Sequence, residues 1–230
     1  MFDIITFGSA TRDIIVKPKS LTVLKYDKNY TDGREVCFPL GSKIDVEQID
    51  FNSGGGGTNT AVTFAKQGLK AAFFGVVGHD LAGQEIINEL KLLRVNTGFV
   101  LKNNKKATNH SIVILDSKKE RTILAYRGAS ELLGKGDIRW NKLKSKWIYL
   151  APLSGVLCQT FEDIITFAKS NNIKVAVNPG MAQLSLPRFS EITKNIDVLI
   201  LNQEEASFLT KIPFGEEREI FKKIDDLCPG

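Results

Sequence analysis

The chain has 230 residues, 43% hydrophobic and 25% charged, an ordinary balance for a globular protein with a sizeable core. No apolar stretch nears the roughly 20 residues that span a bilayer, so no membrane partner is expected. The net charge of +5 raises nucleic acid as a partner. The lysines are scattered, however (Lys102, Lys105, Lys106, Lys118, Lys119, Lys142, Lys144, Lys146), with acids between them and no interleaved aromatics, so no nucleic-acid partner is expected.

The N-terminus, "MFDIITFG", has an acid at Asp3 and no basic leader, and reads as a buried strand over 3–8 ended by Gly8. Cys37, Cys158 and Cys228 are odd in number and far apart, which argues against a disulfide framework and a metal site and points to the cytoplasm. Residues 14–53 hold short β-type runs broken by Pro18, Asp32-Gly33, Pro39 and Gly41, a small antiparallel excursion. From Gly57 the period becomes helical and stops at Gly68. "AAFFGVVG" (71–78) is a second buried strand. An amphipathic helix over 81–93 follows, with Asp80 as its N-cap. A hairpin is predicted over 110–126. After it, strands at "KWIYLAPL", "KVAVNP" and "DVLILN" alternate with helices at 158–171, 188–195, 203–210 and 215–227. That order predicts βαβ units and a mostly parallel sheet. A chain that stops at Pro229-Gly230 after a helix suggests an incomplete α/β domain.

Candidate chemistry gathers where strands end. "SGGGGTN" (53–59) puts four glycines before a helix start, where backbone N–H groups and the helix dipole favour an oxygen-rich ligand; a tight turn is the competing explanation. No Gly-Lys-Ser/Thr follows and no strand is expected to run into it, which excludes a phosphate-binding P-loop, and the register excludes a dinucleotide fingerprint. Asp13, in "GSATRD", lies past the first strand and could accept hydrogen bonds from substrate hydroxyls, or merely cap a turn. Asn178 ends another strand. Asn202 and Glu205, three apart at a helix start, suit either a magnesium–phosphate site or a capping box. If the strands are parallel, Asp13, Asn178 and Asn202 share one sheet edge. His79, His110 and Arg127 are assigned to loops or structure, and no Ser/His/Asp or Cys/His set can be assembled.

Taken together, these residues resemble the ribokinase-like (PfkB) carbohydrate kinase family. "GSATRD" is similar to that family's G-x-x-x-x-D opening and "GGGGTNTAV" to its first glycine motif. "GVVGHDLAGQEI" resembles its G-x-D-x-x-G segment, and "VNPG" and "LNQEEA" its N-P and N-x-x-E segments. The resemblance implies a three-layer α/β/α sandwich with a mostly parallel sheet and a small β lid built from 14–53 and about 107–126. It implies ATP and Mg²⁺ as cofactors and phosphoryl transfer to a sugar or nucleoside hydroxyl. Asp13, Gly54, Gly55 and Asn59 would bind the substrate, with the two glycines also hinging the lid. Asn178, Asn202 and Glu205 would serve the nucleotide phosphates, Glu205 orienting Mg²⁺, directly or through water. The family's G-A-G-D-like stretch, with its catalytic base, has no counterpart and is expected after residue 230, so this chain alone is expected to be inactive. Gly56 stands where ribokinases commonly have Lys, and "YLAPLSG" lacks their sugar-facing carboxylate, which leaves the sugar or nucleoside open. A homodimer through the lid is expected by the same analogy. The rival expectation is a non-catalytic sugar- or nucleoside-binding module of the same fold.

Overall fold

The computed structural model describes residues 1–25, 34–116, 118 and 120–227. Strand β1 (Phe2–Phe7) passes through Gly8 into β2 (Thr11–Pro18), which joins a different sheet. A two-stranded ribbon, β3 (Thr22–Lys25) with β4 (Arg34–Cys37), and the long β5 (Val46–Gly54) follow. Helix α1 (Gly56–Lys66) begins two residues after β5 ends, and the chain leaves it through Gly68 at φ +85°. Next come β6 (Ala71–Gly78), α2 (Leu81–Leu92) and β7 (Asn96–Asn103), then the hairpin of β8 (Asn109–Leu115) and β9 (Arg121–Tyr126). Short 3₁₀ turns lead to β10 (Ser145–Leu150), α3 (Gly155–Gln159), α4 (Phe161–Ser170) and β11 (Lys174–Val177). The described chain closes with α5 (Met181–Leu184), α6 (Phe189–Ile192), β12 (Val198–Leu199), α7 (Gln203–Thr210) and α8 (Glu217–Leu227).

The main sheet has six strands in the order β12-β11-β10-β1-β6-β7, every pair parallel. Both faces are covered, which is why β6 is buried at all eight positions. On one face Ile5, Phe7, Phe74, Ile148 and Val175 pack against Phe161, Ile164 and Ile165 of α4 and Phe189 of α6. The rings of Phe7 and Phe74 stack at 4.6 Å, and each fully buried phenylalanine contributes about 2–3 kcal/mol of transfer free energy. On the other face Phe73 and Val77 meet Ala61 of α1 and Ile86 and Leu90 of α2. The result is the mostly parallel sheet expected from the alternation of strands and helices, in the three-layer α/β/α arrangement that the resemblance implies.

The chain leaves β1 for β6 and β7 on one side and later for β10, β11 and β12 on the other. The winding therefore reverses between β1 and β10. Their carboxyl ends, Phe7 and Leu150, are register partners, and Gly8 and Ala151 begin the loops beyond them.

The second sheet, β5-β2-β8-β9, is mixed rather than purely antiparallel: β2 pairs antiparallel with β5 but parallel with β8. Several local readings change with it. Strand β7 was not expected from "NTGFVLKN", because Gly98 and two asparagines weaken a β signal in a half-exposed edge strand. The helix expected over 158–171 is broken at Thr160, whose hydroxyl bonds back to the Leu157 carbonyl at 2.8 Å. The strand "DVLILN" shortens to two residues. The Asp32-Gly33 turn, residues 117 and 119 of the hairpin turn, Cys228 and Pro229-Gly230 lie outside the described residues.

Gly55 has φ +105°, and a Cβ there would stand 2.4 Å from the Ser9 carbonyl oxygen. Gly136 sits in open space with no such constraint. Gly55→Ala is expected to cost about 2–4 kcal/mol, from a disfavoured φ plus overpacking. Gly136→Ala should stay within about 0.5 kcal/mol. Urea unfolding of the two variants checks this; equal stabilities would contradict the interlock at Gly55.

Candidate active site

The site is built where β1 and β10 end. Gly8 and Gly57 cross so closely that a Cβ on Gly8 would lie 2.8 Å from both the Gly57 nitrogen and the Ala151 Cβ. A Cβ on Gly57 would strike Phe73 at 2.6 Å. The Thr6 hydroxyl donates to the Gly57 carbonyl at 2.9 Å. Ser9 completes the join: its hydroxyl accepts the Gly56 N–H at 3.3 Å and its carbonyl the Thr58 N–H at 3.4 Å. The N-terminus of α1, with no acid in its first turn, is thereby held over the point where the sheet's winding reverses. In open α/β sheets that crevice, outside the carboxyl ends of the strands, takes ligands.

The glycine run thus has an internal reason. Gly55 and Gly57 are demanded by the protein's own backbone, and Gly54 lies under Asp13: a Cβ on Gly54 would fall 2.1 Å from Asp13 Oδ2. One expectation is corrected here. A strand does run to the glycines, since β5 ends at Gly54; the rim of a half-exposed strand could not be told from loop in the sequence.

Asp13 is not in a loop but at the third position of β2, partly buried, paired across to Asn52 and Ser111. Among the described residues nothing donates to its carboxylate, so the group keeps its hydrogen-bonding capacity. Asn59 is exposed in the first turn of α1 and lines a hollow of about 300 Å³ with Ser53, Thr58, Ile86 and Glu89. Asn178 sits at the end of β11: its N–H donates to the Leu150 carbonyl at 2.8 Å and its Nδ2 to the Ile200 carbonyl at 3.0 Å. It ties together the ends of β10, β11 and β12.

Asn202 and Glu205 form a reciprocal capping box on α7. Asn202 Oδ1 accepts the Glu205 N–H at 2.8 Å, and Glu205 Oε2 accepts the Asn202 N–H at 2.9 Å. The capping alternative is therefore realised. Glu205 Oε1 has no partner among the described residues. No group of three or more His, Cys, Asp or Glu side chains able to hold a metal occurs among them. One carboxylate oxygen fits the usual manner of Mg²⁺, which keeps several waters and relies on substrate phosphates for the rest.

The sequence does contain one Gly-x-Gly-Asp string, Gly134-Lys135-Gly136-Asp137. It forms a 3₁₀ turn in which Asp137 Oδ2 accepts the Gly134 N–H at 2.9 Å, while Lys135 pairs with Asp163 at 2.6 Å. Sequence reasoning missed Ser9 and Thr108. Ser9 had one signal, a hydroxyl residue just after the glycine that ends β1. Thr108 had none, because Asp80 and Gly78, which its hydroxyl bonds, lie 28 and 30 residues away.

A parallel sheet covered on both faces, with a mixed second sheet beside the point where its winding reverses, defines an α/β fold with a crevice at its switch point. The sequence profile described as pfkB family carbohydrate kinase matches residues 3–227, and the chain belongs to that family. It is 28% identical over 188 residues to a ribokinase of Haemophilus influenzae, covering 79% of this chain and 59% of that one. It is 26% identical over 175 residues to a deoxyribokinase of Salmonella typhi, covering 75% and 56%. Among solved structures, a ribokinase from Thermotoga maritima superposes with a TM-score of 0.75 at 25% identity, covering 99% of this chain and 68% of that one. The Arabidopsis thaliana ribokinase complexed with ribose and ATP gives 0.74 at 22%, covering 98% and 68%. The chain spans about three fifths of the length of the curated ribokinases it matches. No helix among the described residues is long and apolar enough to cross a membrane.

Asn202→Ala removes the cap while leaving the core intact, and is expected to cost about 1 kcal/mol, read by thermal or urea unfolding. An unchanged midpoint would show that the capping box carries no stability.

Proposed function

We propose that the chain is part of an ATP-dependent kinase that transfers a phosphoryl group to a hydroxyl of a sugar or nucleoside. The observation that carries this is the Asp13 carboxylate, with no donor among the described residues, held beside Gly54 where the glycine run meets the sheet's switch point. A carboxylate so placed suits a ligand rich in hydroxyl groups, to which it would offer charge-assisted hydrogen bonds.

In this reading Gly54 and Gly55 let the substrate approach the backbone and hinge the second sheet, and Asn59 adds a hydrogen bond. Asn178 and Asn202 line the edge that receives the phosphates, and Glu205, with Oε1 left over from the cap, would orient Mg²⁺, directly or through water. When bound, the metal neutralises charge on the phosphates. The second sheet acts as a lid that excludes water from the transfer. Removal of the substrate hydroxyl's proton is assigned to an aspartate outside residues 1–230. Phosphoryl transfer asks mainly for positioning and charge stabilisation, and both glycine interlock and strand-end ties supply rigidity for it.

The same reading gives the lid a second use. One row across the second sheet is apolar: Phe51, Ile14, Ile112 and Leu124 are register partners. Phe51 and Leu124 are each 55% exposed. The next row, Asn52, Asp13, Ser111 and Ala125, is polar at its first three positions and lies on the opposite face. Two copies meeting through the apolar face would form a homodimer and leave the polar face to the substrate.

Asp13→Asn should weaken sugar or nucleoside binding about 10- to 100-fold, the loss of a hydrogen bond to a charged group, with nucleotide binding unchanged. Calorimetric titration with D-ribose, 2-deoxy-D-ribose, D-fructose and adenosine measures it; equal affinity in the variant would remove Asp13 from the site. For the dimer, sedimentation velocity should show a two-chain species that Phe51→Glu reduces to one. A wild-type monomer at every concentration tried would overturn the pairing.

A further inference from the structure

In the string Gly78-His79-Asp80-Leu81-Ala82-Gly83, the residues Gly78, Asp80 and Gly83 converge on one side chain. That side chain is Thr108, fully buried, immediately before β8. Asp80 Oδ1 accepts the Thr108 hydroxyl at 2.6 Å, and Oδ2 accepts the Thr108 N–H at 2.8 Å. The Thr108 hydroxyl in turn accepts the Gly78 N–H at 2.9 Å. Asp80 Oδ1 also caps α2 through the Gly83 N–H at 2.8 Å. The glycines are there because Thr108 leaves no room. A Cβ on Gly78 would stand 2.4 Å from the Thr108 nitrogen, and one on Gly83 would stand 2.8 Å from its hydroxyl.

The join continues on the far side of the hairpin. The Ala129 N–H donates to the Ala107 carbonyl at 2.8 Å, and the buried Asn109 and Ser130 bond reciprocally at 2.6 and 3.2 Å. The far end of the β8–β9 hairpin is thus tied to its near end, and the near end is fastened through Thr108 to Gly78, at the carboxyl end of β6, and to Asp80. Burial alone would push the Asp80 carboxyl up; the hydrogen bonds from Thr108 and Gly83, with His110 nearby, hold it below its ordinary value.

The consequence reaches the site by register. Asn109, next to Thr108, pairs with Thr11, which also pairs with Gly54; two residues further along, Ser111 pairs with Asp13. The height at which Thr108 is held thus sets the height of β8, and β8 sets β2. We propose that Asp80 is a positioning residue: it anchors the second sheet to the main sheet through Thr108 and so places Asp13 over Gly54. The proposal rests on the reading of Asp13 as the substrate-binding carboxylate.

The test combines hydrogen exchange with binding in the whole protein, on Asp80→Asn, Thr108→Val and Thr108→Ser. Valine keeps the shape of threonine without its hydroxyl, so it stays informative if Asp80→Asn does not fold. Asp80→Asn and Thr108→Val are expected to speed amide exchange in β8 and β9 at least about tenfold, with β1 and β6 as protected as before. Affinity for the sugar or nucleoside that the wild type binds should fall about tenfold or more, with ATP affinity unchanged. Thr108→Ser, which keeps the hydroxyl, should restore both. Unchanged exchange in β8 and β9, or equal loss of protection in β1 and β6, would overturn the anchoring. Faster exchange with unchanged sugar affinity would overturn the positioning role. If D-ribose, D-fructose and adenosine all fail to bind the wild type while the exchange pattern holds, the reading of Asp13 fails and the anchoring stands.

Discussion

The contact on which the structure turns is the crossing of two backbones, at Gly8 after β1 and Gly57 at the start of α1. Neither position has space for a Cβ. Their contact lets the first helix begin directly above the strand that is central to the main sheet, and Ser9 fixes the pairing through the Gly56 and Thr58 N–H groups. With α1 seated there, Phe73 is sealed beneath Gly57 and Asp13 is brought against Gly54. A bulkier residue at either crossing point would lift the helix and separate the second sheet from the first.

That crossing coincides with the reversal of strand order between β1 and β10. The ends of β10, β11 and β12 are tied in sequence by Asn178, which makes one continuous rim of those three strand ends. Asp13 belongs to a different sheet, beside Gly54. In the proposed function the two halves of the site are carried by different sheets, joined at the glycine run, at the Arg12–Glu85 ion pair and at the Asp80–Thr108 contact. A site divided in this way can open to admit a ligand and close to exclude water, provided the joints are well defined.

Much of this was legible in the sequence because it is local. The apolar runs of β1 and β6, the Asp80 cap of α2 and the stop at Gly68 follow from short-range patterns. The placement of Asn178 and Asn202 beyond strand ends also follows from them. What escaped depends on distant partners. The parallel pairing of β2 with β8 joins residues almost a hundred positions apart, and no periodicity announces it. Strand β7 hid behind Gly98 and two asparagines. The four glycines were read as a cradle for a ligand, and the structure adds a reason no local pattern shows: Gly55 and Gly57 have no room for a Cβ beside the protein's own backbone, and Gly54 lies beside Asp13. Asn202 and Glu205 offered two readings at equal spacing, and the capping box is the one seen.

Phosphoryl transfer to a hydroxyl is read by following the phosphate itself. The whole protein is incubated with Mg²⁺, γ-³²P-labelled ATP and, in turn, D-ribose, 2-deoxy-D-ribose, D-fructose and adenosine, and the products are separated. The account predicts label in a sugar phosphate or nucleoside monophosphate from at least one acceptor, dependent on Asp13. Label found only in inorganic phosphate, or remaining in ATP with every acceptor, would contradict it.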